Sequence, residues 1–321
     1  MIEVTVSALK ALKTAVRDLL GQQLGSQFAL DVETTGLDDH DRIFGLIIYS
    51  PLRSYYFNFN DLEEEHLPQE SFKLFKPLFE DKSKSWFIHN AIFDLAMLAK
   101  EDLYLKGKVY CTMTLERVLQ NNRMQYSLDA LAKEYEKVIP NMTLKLGDEV
   151  KEYITKHRCF TKWKIPGKDT LIKKMHYDFV PLELMARYGH RDAEVCFKLG
   201  VFQKNRIKTQ KLGKIGSSEC MLTPAVLKMY TRGITIDLDL CQQGFDNAVK
   251  EVDNLKRQFY SGFGRHYSKS RKEISSLFQK FKLEVPLTDK GNPRLNEDAF
   301  KSIDHPLPKL ILEIRKKEKF I

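Results

Sequence analysis

The sequence predicts an α/β fold with a mixed sheet, followed by a helical region. Short apolar runs typical of strands are followed by amphipathic helical stretches through the first two thirds of the chain. Two of these runs, at 43–49 and 55–59, flank a Pro-Leu-Arg-Ser turn segment, which indicates an antiparallel hairpin at the front of the sheet. The last third is helical in pattern.

The first elements are the most regular. A helix is expected at 7–25, ending at Gly21 or Gly25, and a strand at 27–33 that Thr-Thr-Gly ends. A strand at 86–89 leads directly into a helix at 91–100. The other expected elements are a strand at 109–111, helices at 113–120, 128–137 and 182–203, and helices at 219–231, 237–261, 270–281 and 306–320.

Two segments lack a regular pattern. We expect 140–180, which contains Trp163, Pro166 and Gly167, to be a loop-rich excursion over the surface. Residues 204–214 carry five Lys or Arg and are expected to be a solvent-facing connector. The predicted divisions are an N-terminal helix (1–25), an α/β domain (26–205) and a helical region (206–321).

Composition limits the classes of function. The 321 residues carry a formal charge of +9, which suits a polyanionic partner but is weak support alone. The cysteines are odd in number and contain no C-x-x-C pair, which argues against a disulfide framework and a cysteine-based zinc site. No signal peptide or long apolar run is apparent, so we expect a cytoplasmic protein. The cysteines are Cys111, Cys159, Cys196, Cys220 and Cys241.

Two acids stand on one face of an otherwise apolar strand. Successive side chains of a strand point to opposite faces of the sheet. One face therefore carries Ala29, Asp31 and Glu33, and the other carries Phe28, Leu30 and Val32. Two carboxylates so close repel each other and resist burial, and a divalent cation removes both penalties. The alternative is an edge strand with a solvated face.

Two helices supply further acids. Asn90 and Asp94 share a face at a helix start, where capping and the helix dipole offer an ordinary explanation. Tyr188 and Asp192 lie on the apolar stripe of the helix at 182–203, where a carboxylate needs compensation. A hydrogen bond from Tyr188 to Asp192 is the alternative. Four carboxylates without a Cys or His set favour Mg²⁺ or Mn²⁺, and paired hard ions suit phosphodiester hydrolysis.

These carboxylates belong to longer motifs that resemble a known family. Asp31-Val-Glu33-Thr-Thr-Gly-Leu37, Asn90-x-x-x-Asp94 and Tyr188-x-x-x-Asp192 resemble the three motifs of the DEDDy proofreading exonucleases. Cys111-Thr-Met-Thr-Leu-Glu-Arg-Val-Leu and Tyr126-Ser-Leu-Asp-Ala-Leu-Ala look like the segment between the second and third motifs in family A DNA polymerases. The stretch from Leu222 to Asp237 is similar to the start of the polymerase region, and His305 to Arg315 resembles the thumb helix.

The resemblance implies an RNase H-like (DnaQ-like) exonuclease domain followed by a partial thumb. It implies that Asp31, Glu33 and Asp192 hold the metal that activates water, and that Asp31 bridges to a second metal associated with Asp94. Tyr188 would orient the attacking water. The residues expected to contact the terminal nucleotides are Thr34, Leu37, Asn90 and Phe93.

Two of these residues, Leu37 and Phe93, are less certain matches to the family pattern than the others. Leu37 is a candidate wedge against the last bases, and a plain core leucine is the alternative. Phe93 is often a tyrosine in this family, which puts its polar contact in doubt.

The resemblance also implies an activity and a partner. We expect a 3′-5′ exonuclease that acts on single-stranded 3′ ends and primer-template DNA, as the proofreading part of a split or truncated family A polymerase. No 5′-nuclease domain precedes the motifs, and in this respect the sequence resembles phage-type enzymes. For a phage enzyme we would expect the protein to be located in the host cytoplasm. A second chain carrying palm and fingers is the expected partner. The alternatives are an RNase D-like RNA-trimming exonuclease and a non-catalytic DNA-binding subunit.

The last helix suggests where such a partner would dock. Leu307, Leu310, Ile311 and Ile314 form an apolar stripe on the helix at 306–320 for which the sequence offers little cover. The alternative is that this stripe folds back onto the helices within 219–261.

Overall fold

A six-stranded mixed sheet organises the first of two compact units. This computed structural model describes residues 2–22, 26–38, 40–164 and 171–321, and the units are Met1–Gly233 and Ile234–Ile321. The sheet order is β1-β4-β3-β2-β5-β6. The strands are β1 (Ile2–Val6), β2 (Gln27–Thr34), β3 (Ile43–Tyr49), β4 (Arg53–Asn58), β5 (Ser85–Ile88) and β6 (Lys108–Cys111).

Strand β2 lies inside this sheet. It runs antiparallel to β3 and parallel to β5, so the mixed sheet and the antiparallel hairpin predicted from the sequence are confirmed. Both of its neighbours satisfy backbone groups, and both faces are covered by side chains. The acids of β2 therefore stand on a central strand, and the alternative of a solvated edge strand is wrong.

Helices cover both faces of the sheet. One face of β2, including Phe28 and Leu30, packs in a core with Leu12, while Ala29 on the other face packs with Ala193. The helices are α1 (Leu9–Gly21), α2 (Lys76–Phe79), α3 (Ala91–Lys100), α4 (Thr112–Leu119), α5 (Leu128–Tyr135), α6 (Leu146–Lys156), α7 (Leu182–Thr209) and α8 (Gly213–Arg232). Helix α3 has the bounds predicted for it.

Helix α7 approaches the sheet closely because small residues face it. A Cβ at Gly200 would lie 2.2 Å from the Phe87 ring, and one at Gly189 would lie 2.7 Å from Ile47. Only glycine allows this approach without a shift of the neighbouring side chains. The segment between these glycines contains Asp192, so the close packing holds that residue against the sheet.

Several sequence expectations for the first unit are wrong. Strand β1 is not among the predicted elements; it pairs in parallel with β4 and precedes a shorter helix than the one expected at 7–25. The stretch expected to be loop-rich contains α6 and a two-stranded ribbon of β7 (Phe160–Lys164) and β8 (Leu171–Met175). The expected connector at 204–214 is largely helical, because α7 continues to Thr209 and α8 begins at Gly213. Gly25, Pro166 and Gly167 lie outside the described residues.

The second unit is helical and has its own core. Its helices are α9 (Leu238–Phe263), α10 (Arg271–Lys280), α11 (Glu297–Lys301) and α12 (Pro306–Lys317). Leu307, Ile311 and Ile314 are buried among aromatic side chains that include Phe259 and Phe300. The expectation of an uncovered stripe on the last helix is therefore wrong, and folding back onto α9 is the arrangement found. Across the described residues, no helix combines the length and the apolar character needed to span a membrane.

Candidate active site

Strand β2 places Asp31 and Glu33 on the face against which α7 packs. Burial raises the pKa of Asp31 to about 8, and the charge of Asp192 adds to this effect. The Glu33 side chain is also buried, and burial raises its pKa well above its usual value. The charges of Asp31, Asp192 and Asp94 raise it further. The predicted convergence of the four carboxylates is thus visible as mutual electrostatic repulsion.

Helix α3 brings Asp94 under the same strand. Asp94 is buried, and its Oδ1 accepts a hydrogen bond of 3.1 Å from the backbone N–H of Val32. Burial, and then the charge of Asp31, raises its pKa well above the usual range. Asn90 precedes the helix with a left-handed backbone (φ 57°), and its side chain makes no capping hydrogen bond. Capping therefore does not explain Asn90.

Helix α7 contributes Tyr188 and Asp192, one turn apart. Burial raises the pKa of Asp192 to about 7, while a hydrogen bond from the Tyr188 hydroxyl lowers it. Burial also raises the pKa of Tyr188 far above its usual value, with the Asp192 charge as the next contribution. The interaction with Tyr188 that was the ordinary explanation for Asp192 lowers the pKa of that carboxyl, but burial outweighs it.

A pocket of about 180 Å³ opens beside Tyr188 and Asp192. Helix α6 forms part of its wall, since a Cβ at Gly147 would lie 3.6 Å from the Tyr188 ring. The spacing of Leu146, Val150 and Ile154 is a helical signal that could have revealed α6. Other lining residues that the sequence did not indicate are Asp129, Asp148, Lys151 and Tyr177.

The four residues predicted to contact nucleotides lie in different environments. The Thr34 hydroxyl donates a 2.8 Å hydrogen bond to the Gly36 carbonyl. Leu37 is 80% exposed, so the alternative of a plain core leucine is wrong. Asn90 is exposed, whereas Phe93 is partly buried and packs against the core.

One oxygen of the carboxylate cluster lacks a partner. Within the described chain, Glu33 Oε1 is buried and accepts no hydrogen bond. An all-oxygen donor set with an unsatisfied buried oxygen fits Mg²⁺ or Mn²⁺, because a hard cation satisfies the oxygen and offsets the repulsion.

A second acidic group lies nearby, and it is tighter. The donor atoms of Asp38, His40 and Asp41 all come within 4.8 Å of one another. However, Lys174 forms a salt bridge with Asp41 at 2.9 Å and lies 3.8 Å from Asp38, so the negative charge of this group is already partly offset. The cluster of Asp31, Glu33, Asp94 and Asp192 is therefore the better candidate for cation binding.

The comparisons with known proteins agree with this geometry. Residues 4–206 match the model of the 3′-5′ exonuclease domain of DNA polymerase A. The chain belongs to this exonuclease family. Its α/β unit with a mixed sheet is accordingly the RNase H-like exonuclease domain that the sequence predicted.

Two curated relatives extend the similarity to the second unit. The chain is 30% identical over 310 residues to DNA polymerase DpoZ of Salmonella phage PMBT28, covering 91% of this chain and 46% of that protein. It is 24% identical over 312 residues to DNA polymerase I of Pseudomonas aeruginosa, covering 91% of this chain and 31% of that protein. The chain thus spans about half the length of the phage relative and about a third of the length of the bacterial relative.

A solved structure supports the fold. The POL domain of Pol1 from M. smegmatis, in complex with DNA primer-template and dNTP, matches with a TM-score of 0.68 at 16% identity. The match covers 98% of this chain and 48% of that one. At this identity the likeness shows only the fold of this chain.

Proposed function

We propose that this exonuclease hydrolyses DNA phosphodiesters from the 3′ end by two-metal catalysis with Mg²⁺ or Mn²⁺. The observation that carries the proposal is the partnerless Glu33 Oε1 inside a cluster of buried and partly buried, mutually repelling carboxylates. The charges of Asp31, Asp192 and Asp94 all raise the pKa of Glu33, so the four carboxylates interact electrostatically. Paired hard cations roughly 4 Å apart are the arrangement suited to phosphodiester hydrolysis.

The residues divide into two ligand sets in this proposal. Asp31, Glu33 and Asp192 would hold one ion, and Asp31 with Asp94 the other. A bound pair of such ions lowers the pKa of a water molecule and stabilises negative charge on the phosphate. The Tyr188 hydroxyl, whose interaction lowers the pKa of Asp192, would orient the attacking water.

The exposed residues near the cluster would hold the strand end. Leu37 is free to insert against the last base, because its side chain is 80% exposed directly after β2. Asn90 stands at the start of α3, one turn before Asp94, and would contact the terminal nucleotide. We propose Thr34 and Phe93 as contacts of the sugar and base, although the Thr34 hydroxyl must first leave its bond to Gly36.

Side-by-side degradation of labelled single-stranded DNA and RNA tests this function. With Mg²⁺, we expect release of mononucleotides from the 3′ end of DNA, and no cleavage in EDTA. Asp31→Ala should abolish nearly all activity, whereas the matched control Asp61→Ala, on the exposed surface, should not. Faster cleavage of RNA would indicate the RNase D-like alternative. Binding of DNA without any cleavage would indicate the non-catalytic alternative.

We further propose a proofreading role within a family A polymerase. The similarity to DpoZ and DNA polymerase I supports this, since it continues through the second unit. We propose that residues 26–205 act as the exonuclease domain and that residues 206–321 act as a partial thumb. A second chain carrying palm and fingers would be the partner, and co-purification from the native source tests it. A chain recovered alone would refute this partner.

A further inference from the structure

The β7–β8 ribbon carries a concentrated positive charge on one face. Lys162 lies directly opposite Lys173, and Phe160 is on the same face. The Lys173 and Lys162 Nζ atoms lie 3.9 Å and 5.1 Å from the centre of the Phe160 ring. Like charges in this position destabilise a strand pair. In the part of the chain that the structure describes, neither ammonium group is paired with a carboxylate.

The opposite face of the ribbon is fixed to the loop that follows β2. Lys174 Nζ lies 2.9 Å and 3.1 Å from the two carboxylate oxygens of Asp41. It passes so close to Gly36 that a Cβ there would lie 2.7 Å from Nζ and 2.3 Å from Asp41 Oδ2. This loop begins two residues after Glu33 and carries the exposed Leu37. The ribbon is therefore held beside the candidate wedge.

The base of the ribbon enters the active site. Tyr177, two residues after β8, lines the same pocket as Tyr188 and Asp192. The next residue, Asp178, accepts a 2.7 Å hydrogen bond through its carbonyl from the Asn60 side chain. The ribbon is thus anchored at its base and along its inner face, and the Lys162/Lys173 face stays available.

We propose that this ribbon is a DNA-binding arm, in which Lys162 and Lys173 contact backbone phosphates of the single strand whose 3′ end occupies the carboxylate pocket. The proposal rests on the function proposed above. The chemistry that recognises this partner is ammonium against phosphodiester, with release of condensed counterions. Such contacts position a strand without reading its sequence, which suits an enzyme that removes any nucleotide.

Binding of a fluorescein-labelled 15-nucleotide oligothymidine, measured by anisotropy in EDTA over a range of KCl, tests the arm without cleavage. Losing two phosphate contacts should lower the affinity of Lys162→Ala/Lys173→Ala about 25-fold at 0.1 M salt. The slope of log affinity against log salt should fall by about 1.4. The control Lys10→Ala/Lys13→Ala removes equal charge from the exposed face of α1 and should stay within about two-fold of the wild type.

A second variant guards against misfolding. Lys162→Gln/Lys173→Gln keeps side-chain stems against Phe160 and removes only the charges, so it should show the same loss. An affinity and salt slope equal to those of the control pair would overturn the proposal. Loss of RNA binding with DNA binding intact would also overturn it.

Substrate length separates the arm from the catalytic function. With Mg²⁺, the alanine pair should raise KM for the 15-mer about 10-fold or more with kcat unchanged. In this proposal the lysines contact phosphates beyond the terminal dinucleotide, so the same variant should cleave a thymidine dinucleotide like the wild type. If the wild type cleaves neither substrate, the proposed function fails, and the anisotropy titration still decides the arm.

Discussion

Replacing Asp31 by asparagine should stabilise the metal-free protein. Asparagine keeps the shape of the buried side chain and removes the charge that burial and Asp192 oppose. The folded state raises the pKa of Asp31 from 3.8 to about 8. The folded state keeps this carboxyl largely protonated at pH 7, and each pH unit above 3.8 costs about 1.4 kcal/mol of stability, so Asp31 opposes folding by at most about 4 kcal/mol.

The direction of the pH dependence follows from the raised pKa. Between pH 3.8 and about 8 the folded state retains a proton that the unfolded state releases. The stability of the wild type therefore falls as the pH rises through this window and levels off above it. The asparagine variant lacks this contribution, so the gap between the two proteins should widen from pH 5 to pH 8.

Tryptophan fluorescence provides a selective assay. Both tryptophans, Trp86 and Trp163, belong to the first unit, so thermal melts followed by their emission report on that unit alone. In EDTA at pH 7 we expect Asp31→Asn to raise the Tm by on the order of 10 °C. The control Asp61→Asn changes an exposed pair with Arg42, which is worth less than about 1 kcal/mol.

Bound metal should reverse the order of the two melting temperatures. Saturating Mg²⁺ should raise the Tm of the wild type and have little effect on Asp31→Asn, because the variant loses a ligand of both proposed ions. The reasoning is refuted if Asp31→Asn is no more stable than the wild type in EDTA at pH 7 while the control melts normally.

Three further outcomes follow from the site. Tyr188→Phe should slow hydrolysis about 10²–10⁴-fold while Mn²⁺ affinity measured by calorimetry stays unchanged; a loss of metal affinity as large as that of Asp192→Ala would contradict the role of the hydroxyl. Mismatched 3′ ends should be cleaved faster than paired ends in a gel assay, because unpairing, which costs about a few kcal/mol, costs least at a mismatch; equal rates would argue against proofreading. The chain alone should not extend a primed template with nucleotides and Mg²⁺, and any templated product would refute this.

The site was predictable because its residues break local rules. An acid on the inward face of an apolar strand, and another within the stripe of a helix, are costly unless something compensates them. The sequence pattern therefore marks Asp31 and Asp192 as candidates while ordinary alternatives stay open, and the structure places both in one electrostatic cluster. The roles of the individual residues stay predictions.

The missed elements have a common physical reason. Strand β1 is short and largely exposed, and its pairing with β4 joins residues about 50 positions apart, which no local pattern encodes. The ribbon is rich in lysine and gives no alternation of apolar and polar side chains. The apolar stripe of α12 was predicted, but the element that covers it was not. A helical pattern indicates that one face is covered and does not indicate which element covers it.

The fold itself explains why the carboxylates remain together. The inner position of β2 and the close approach of α7 at Gly189 and Gly200 hold the acids in place although each raises the pKa of its neighbours. A DNA-binding scaffold without catalysis would gain stability by neutralising any one of them. Holding all four therefore makes sense where bound cations offset the repulsion, and the stability of Asp31→Asn with and without Mg²⁺ measures that balance directly.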